Sequence, residues 1–161
     1  MEDGGQPDAS RPEAPRGMYP CRLDDKGRLK VPTALQKFLE SLPEKKLFVT
    51  SMDRLTAAIY PIAAWRATEE FFDKFNADPD AADAISFIAN RLGSEVEMDG
   101  QGRILFNSEL RRAVKLENTE LHLYWYRGHF EVLTDAICQE RELKSVNAPS
   151  ALSVLRKAGL R

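Results

Sequence analysis

Hydrophobic and polar positions fall into a regular pattern only after Gly17. The alternation predicts a short strand from Tyr19 to about Leu23, a turn at Asp24-Asp25-Lys26-Gly27, and a second strand from Arg28 to Val31. Gly27 supplies the positive φ that such a turn or bulge needs. Pro32 suits the first position of a helix, and Leu35, Phe38, Leu39 and Leu42 follow at i, i+3, i+4, i+7 spacing, which predicts one amphipathic helix. Leu47–Thr50 and Ala57–Tyr60 read as short strands, and Pro61 opens a helix with aromatic bulk at Trp65, Phe71, Phe72 and Phe75. Asp78-Pro79 looks like the cap and first residue of a further helix, whose apolar face is Ile85, Ile88, Ala89 and Leu92 and whose end is Gly93.

The pattern then starts again. Met98-Asp-Gly-Gln-Gly-Arg103 repeats Leu23-Asp-Asp-Lys-Gly-Arg28 at an offset of 75 residues. Asp24, Gly27, Arg28 and Leu35 recur as Asp99, Gly102, Arg103 and Leu110. Leu29, Val31, Thr33 and Lys37 face Ile104, Phe106, Ser108 and Arg112. A helix (Leu110, Ala113, Val114), a strand (Leu121 to Tyr126), a turn at Arg127-Gly128-His129 and a strand (Phe130 to Leu133) complete the echo. The fold class expected is α+β, mainly β with flanking helices, built as a tandem repeat. Each unit is about 45 residues, too small to bury a stable core alone, so the two must share one. The expected divisions are a disordered arm at 1–17, a first module at 18–66, linking helices at 67–93, a second module at 94–143 and a tail at 144–161. The tail has room for a short helix after Pro149, with Leu152 and Leu155 on one side.

Charge changes the picture only when it is counted locally. The chain has 161 residues, with 23 Lys and Arg against 25 Asp and Glu, so no global attraction draws it to a polyanion. The arm, with three Pro, three Gly and little apolar bulk, is net −2. Cys21–Lys37 is net +3, Met98–Lys115 is net +2, and the rest of the chain must carry −5. Positive charge is therefore gathered on the duplicated segment, as a surface facing a polyanion requires.

Other chemistries find little support. His122 and His129, on an expected strand and turn, have no nucleophile motif beside them, and there is no Gly-rich phosphate loop or HExxH. An enzyme is not expected, nor a cofactor, a metal site or a small-molecule substrate. Cys21 and Cys138 form no CxxC, and nothing nearby marks a lowered thiol pKa. Tyr124, Trp125 and Tyr126 read as a strand buried on both faces rather than as a base-stacking platform. No apolar run approaches the length of a membrane span and no apolar segment follows Met1, so a cytoplasmic protein without membrane partners is expected.

The motifs LDDKGRLKVP at 23–32, IYPIAAW at 59–65, MDGQGRILFNSELR at 98–111 and HFEVLTD at 129–135 resemble the MraZ family, regulators of the division and cell-wall gene cluster. The resemblance spans about residues 17–140. It implies two AbrB-like swapped-hairpin modules in one chain, homo-oligomerisation into an octamer-like ring, and nucleoid-associated repression through short direct repeats in promoter DNA. The family's motif Asp and Arg fall on Asp24 and Arg28 and on Asp99 and Arg103, and Lys26 and Lys30 match basic positions around the first motif. Three features depart from the family: Phe106-Asn107 replaces Ile-Pro, Gln36 replaces an Arg of the first helix, and Arg91 alone remains in a usually Arg-richer helix. Asn107 can still cap a helix.

In physical terms, the planar forks of Arg28 and Arg103 suit guanine edges, while Arg22, Lys26 and Lys30 would hold phosphates. Asp24 and Asp99 suit turn capping or orienting an Arg better than touching DNA, because phosphate repels them. With Gly27 and Gly102 at the turns, these nine residues are the candidate DNA site. The rival is a ring-forming scaffold or protein-interaction module that has lost operator reading.

Overall fold

A computed structural model describes residues 13–161. Of the seventeen residues expected to form a disordered arm, 1–12 lie outside the described residues; within 13–17, Ala14 is buried against the core and the Tyr19 hydroxyl donates to the Arg16 carbonyl. The elements are β1 (Met18–Cys21), β2 (Arg28–Lys30), α1 (Thr33–Ser41), β3 (Leu47–Thr50), β4 (Ala57–Pro61), α2 (Ile62–Lys74), α3 (Pro79–Leu92), β5 (Ser94–Val96), β6 (Arg103–Leu105), α4 (Ser108–Val114), β7 (Leu121–Tyr126), β8 (His129–Thr134), α5 (Asp135–Lys144) and α6 (Ala148–Lys157). The fold is α+β with antiparallel pairing throughout the described strands.

The repeat shows in how the strands pair. The larger sheet runs β1-β7-β8-β4-β3-β5, so the first half's leading strand β1 pairs with β7 of the second half, and β5 pairs with β3 of the first. The hairpins β3–β4 and β7–β8 meet at β4–β8, with Ile59 opposite Phe130. A separate two-stranded ribbon joins the duplicated segments themselves, β2 to β6, with Leu29 opposite Ile104. Two further bonds extend it with the same symmetry: Val31 N–H donates to the Gly102 carbonyl and Phe106 N–H to the Gly27 carbonyl, both at 2.9 Å. Each half thus completes the other, which is how two units too small to be stable singly acquire one core.

That core is the set of inward positions of both halves. Leu29, Leu35, Ile104, Phe106 and Leu110 are fully buried together with Leu47, Ile59, Leu121, Leu123 and Phe130. β3 and β4 are buried at every residue because their other face is also covered: Phe48, Ala58 and Tyr60 pack on Trp65 of α2 and Ala89 of α3. The Thr50 hydroxyl fastens β3 to α3 by donating to the Ala89 carbonyl at 2.6 Å.

Several local signals read as expected and others shift. Asp78 caps α3 through Ala81 N–H with Pro79 at the first position and Gly93 at the end, and Asn107 caps α4 through Leu110 N–H at 2.8 Å. Pro32 and Pro61, expected as first helical residues, stand one position earlier with extended ψ, so they are caps. His129 belongs to strand β8 and stacks on Tyr60; the turn before it is Arg127-Gly128, both with positive φ. Tyr124, Trp125 and Tyr126 are not buried on both faces: Trp125 packs edge-on against Phe38 and Phe130, while Tyr126 is exposed on the opposite side. Helix α5 had no expectation, because its apolar stripe is weak and none of its residues is buried.

Candidate nucleic-acid interface

The two Asp-x-x-Gly-Arg turns fold identically, and the reason is the aspartate. Asp24 Oδ1 accepts the Lys26 and Arg28 amides, each at 2.9 Å, and Asp24 Oδ2 accepts Arg28 Nε at 2.7 Å. In the second copy, Asp99 Oδ1 accepts the Gln101 and Arg103 amides at 2.9 Å and its Oδ2 accepts Arg103 Nε at 2.8 Å. The backbone closes each loop, Gly27 N–H on the Asp24 carbonyl and Gly102 N–H on the Asp99 carbonyl. Both glycines have positive φ, +82° and +76°, so the turn needs a residue without a Cβ penalty. The Arg28 amide, with the Arg28 guanidinium and the Lys26 amide, outweighs partial desolvation and holds the Asp24 carboxyl below its ordinary value; the Arg103 groups and the Gln101 amide do the same for Asp99. Each carboxylate therefore stays charged and fixes its arginine by Nε, leaving the outer guanidinium nitrogens for another partner.

The antiparallel register decides which side chains share the outer face of the ribbon. Residues directly opposite one another project to the same side. With Leu29 and Ile104 turned into the core, Arg28 opposite Leu105 and Lys30 opposite Arg103 face outward. Arg28 and Arg103 are 28% and 26% exposed, Lys30 Nζ donates to the Gln101 carbonyl, and Lys26 is exposed at the tip. Arg22 is exposed just beyond β1. Eight candidate residues, Asp24, Lys26, Gly27, Arg28, Lys30, Asp99, Gly102 and Arg103, thus lie on one ribbon and its two turns, and Arg22 is at its approach.

The copies are not electrically alike. The positions of Lys26 and Lys30 in the first copy are taken by Gln101 and Leu105 in the second, and Leu105 is 49% exposed beside the arginines.

Two side chains that sequence reasoning did not assign to the site complete it. Arg111 Nε donates to the Phe106 carbonyl at 3.0 Å, and at the equivalent position Gln36 Nε2 donates to the Val31 carbonyl at 2.7 Å. Each lies across the glycine of the opposite half: a Cβ on Gly27 would sit 2.6 Å from Arg111 Cζ, and one on Gly102 would sit 2.3 Å from Gln36 Nε2. Gln36 thus makes the bond that Arg111 makes in the other half, without the charge. The offset of 75 already aligns Gln36 with Arg111, but only the strand exchange reveals whose glycine each covers.

The histidines are structural ties. His122 Nε2 lies 2.9 Å from Asp135 Oδ1 and 3.8 Å from Glu120 Oε1, joining β7 to the start of α5. These three bring candidate ligand atoms within 4.8 Å, yet Asp135 sits in the first turn of α5, whose positive end favours the carboxylate and disfavours a cation. His129 is held by Glu131 at 2.9 Å. Among the described residues no helix is long and apolar enough to cross a membrane.

No family model matches the chain. Comparison with curated proteins finds a transcriptional regulator MraZ from Acidobacterium capsulatum that is 31% identical over 135 residues, 83% of this chain and 91% of that one. The protein of the same name from Koribacter versatilis is 38% identical over 106 residues, 63% of this chain and 70% of that one. That from Nitrosococcus oceani is 31% identical over 150 residues, 90% and 97% of the two chains.

Proposed function

Because the chain belongs to the MraZ family of transcriptional regulators, we propose that it binds promoter DNA through the outer face of the β2–β6 ribbon and represses the division and cell-wall gene cluster. The carrying observation is that one exposed ribbon presents Arg28, Lys30 and Arg103, with both arginines oriented by aspartates that occupy only Nε. Arg28 and Arg103 then read base edges, each bidentate pair adding about 1–3 kcal/mol of discrimination. Arg22, Lys26 and Lys30 neutralise phosphates, and Gly27 and Gly102 serve the site by giving the turns their positive φ and by leaving room for Arg111 and Gln36 against them. Asp24 and Asp99 belong to the site as positioning residues.

In this proposal the halves, 18–66 and 94–143, are AbrB-like swapped-hairpin modules joined by 67–93. The exchange of β1 and β5 between halves and the pairing of β2 with β6 support it. Three cations on one ribbon give weak binding, so several chains in an octamer-like ring, each on one short direct repeat, supply avidity and operate at the nucleoid. Phe71, Phe75 and Phe87, exposed on α2, just beyond it and on α3, offer apolar surface for that assembly.

A ring-forming scaffold without operator reading is the alternative, favoured by the cation-poor second turn with Gln101 and Leu105. Arg28→Ala separates the two. It abolishes specific DNA binding in a gel-shift titration and leaves the oligomer, read by light scattering, intact. Unchanged DNA binding by this variant removes the ribbon as the interface.

A further inference from the structure

Because the halves exchange strands, the helix that borders each turn comes from the opposite half. Arg111 of α4 lies over Gly27, so α4 borders the first turn; Gln36 of α1 lies over Gly102, so α1 borders the second. Charge follows this crossed arrangement. The first turn, with Lys26 and with Lys30 on its strand, meets a helix carrying Arg111 and Arg112 and ending at Lys115. The second turn, with Gln101 and with Leu105 on its strand, meets a helix carrying Gln36, Lys37 and Glu40 at the equivalent positions. The cationic turn and the cationic helix are far apart in sequence, and the fold brings them together.

Beside α4 lies an open groove of about 350 Å³ lined by Ser108, Arg111, Arg112, Lys115 and Glu117. Arg111 Nη1 pairs with Glu117 at 2.5 Å, and Arg112 pairs with Glu109 at 3.3 Å. Lys115 has no ion pair among the described residues. The groove therefore stays net positive and is continuous, through Arg111, with the Gly27 turn.

We propose that this groove is a second DNA-backbone site, so that each chain grips the phosphates with the turn of its first half and the α4 groove of its second, while beside Arg103 the cation-poor positions Gln101 and Leu105, and α1, add no backbone grip. The proposal rests on the ribbon being the DNA interface and adds which half of it grips the backbone. In the groove, Arg111, Arg112 and Lys115 hold phosphate oxygens flanking the bases read by Arg28. Arg111 also braces the turn that carries Arg28, which couples backbone grip to base reading.

The test measures affinity against salt for the full chain, on a duplex recovered by the wild-type protein from a random pool. Two variants remove groove charge with little structural cost. Arg111→Gln copies Gln36, which makes the equivalent carbonyl bond, and Lys115→Asn keeps a residue suited to the left-handed backbone at φ 60°. Each phosphate contact contributes a slope of about 0.9 in log affinity against log salt, equivalent to roughly eightfold in affinity at 0.1 M salt. Each variant is expected to lower the slope by about that amount, and the pair by about twice it. Lys37→Gln, on the helix beside the second turn, leaves slope and affinity unchanged.

If Arg28→Ala abolishes binding but the groove variants retain the wild-type slope, the ribbon is the interface and the groove is not a site. If Lys37→Gln weakens binding as much as Lys115→Asn, the two turns share the work and the asymmetry is wrong. If the wild-type protein recovers no duplex, this proposal and the DNA interface it rests on fall together.

Discussion

Replacing Gly27 by Ala probes the contact on which the crossed arrangement depends. Two costs arise, and they are separable. The backbone is at φ +82°, where an L-residue costs about 1–2 kcal/mol, partly offset by about 0.4–1 kcal/mol from the stiffer unfolded chain. The new methyl also meets Arg111 Cζ and Nε at 2.6 Å, so the guanidinium must leave and its bond to the Phe106 carbonyl is lost. With the Arg111 side chain only 18% exposed, that bond is worth about 0.5–1.5 kcal/mol. Gly27→Ala should therefore cost about 2 kcal/mol in the wild-type background and about 1 kcal/mol in Arg111→Ala, where only the backbone term survives. Urea denaturation of the four proteins at one fixed protein concentration measures the cycle. A coupling near zero would refute the cross-half contact, whatever the size of the single-variant effects. The matched cycle of Gly102→Ala with Gln36→Ala should couple similarly, because Gln36 makes the same kind of bond.

Two further outcomes follow from ionisation. Asp24 and Asp99 titrate below the ordinary aspartate value, so the stability they contribute is fully present above the unfolded-state pKa, about 3.9, and is lost as pH falls through their folded values. NMR titration of the two carboxyls should give midpoints below those of exposed aspartates, and ordinary midpoints would contradict the turn geometry. The Cys21 thiol is pushed up to about 12 by burial and, secondarily, by Glu120, so at pH 8 it stays protonated and should resist a disulfide reagent until the protein unfolds. Fast labelling of both cysteines in the native state would show that Cys21 is not packed against the core.

Much of the fold was legible because both halves obey short-range rules. Asp78-Pro79, Gly93 and Asn107 marked helix ends by local chemistry, and Leu47–Thr50 and Leu121–Tyr126 were marked as strands by apolar density. The repeat itself was legible through Asp24, Gly27, Arg28 and their partners at an offset of 75. What escaped was set by long-range pairing. Nothing local states that β1 joins β7 or that Arg28 faces Leu105, so the roles of Arg111 and Gln36 stayed hidden although their alignment was in view. Helix α5 escaped because no core-facing stripe marks it, and Tyr126 misled because an aromatic run looks buried whether one face or two are covered.

The reading of DNA by the β2–β6 ribbon is tested most directly by selecting duplexes from a random pool on the 161-residue chain, in parallel with its Arg28→Ala variant. The wild-type protein should enrich a short motif arranged as direct repeats, and the variant should enrich none. Equal recovery of unrelated sequences by both proteins would contradict it.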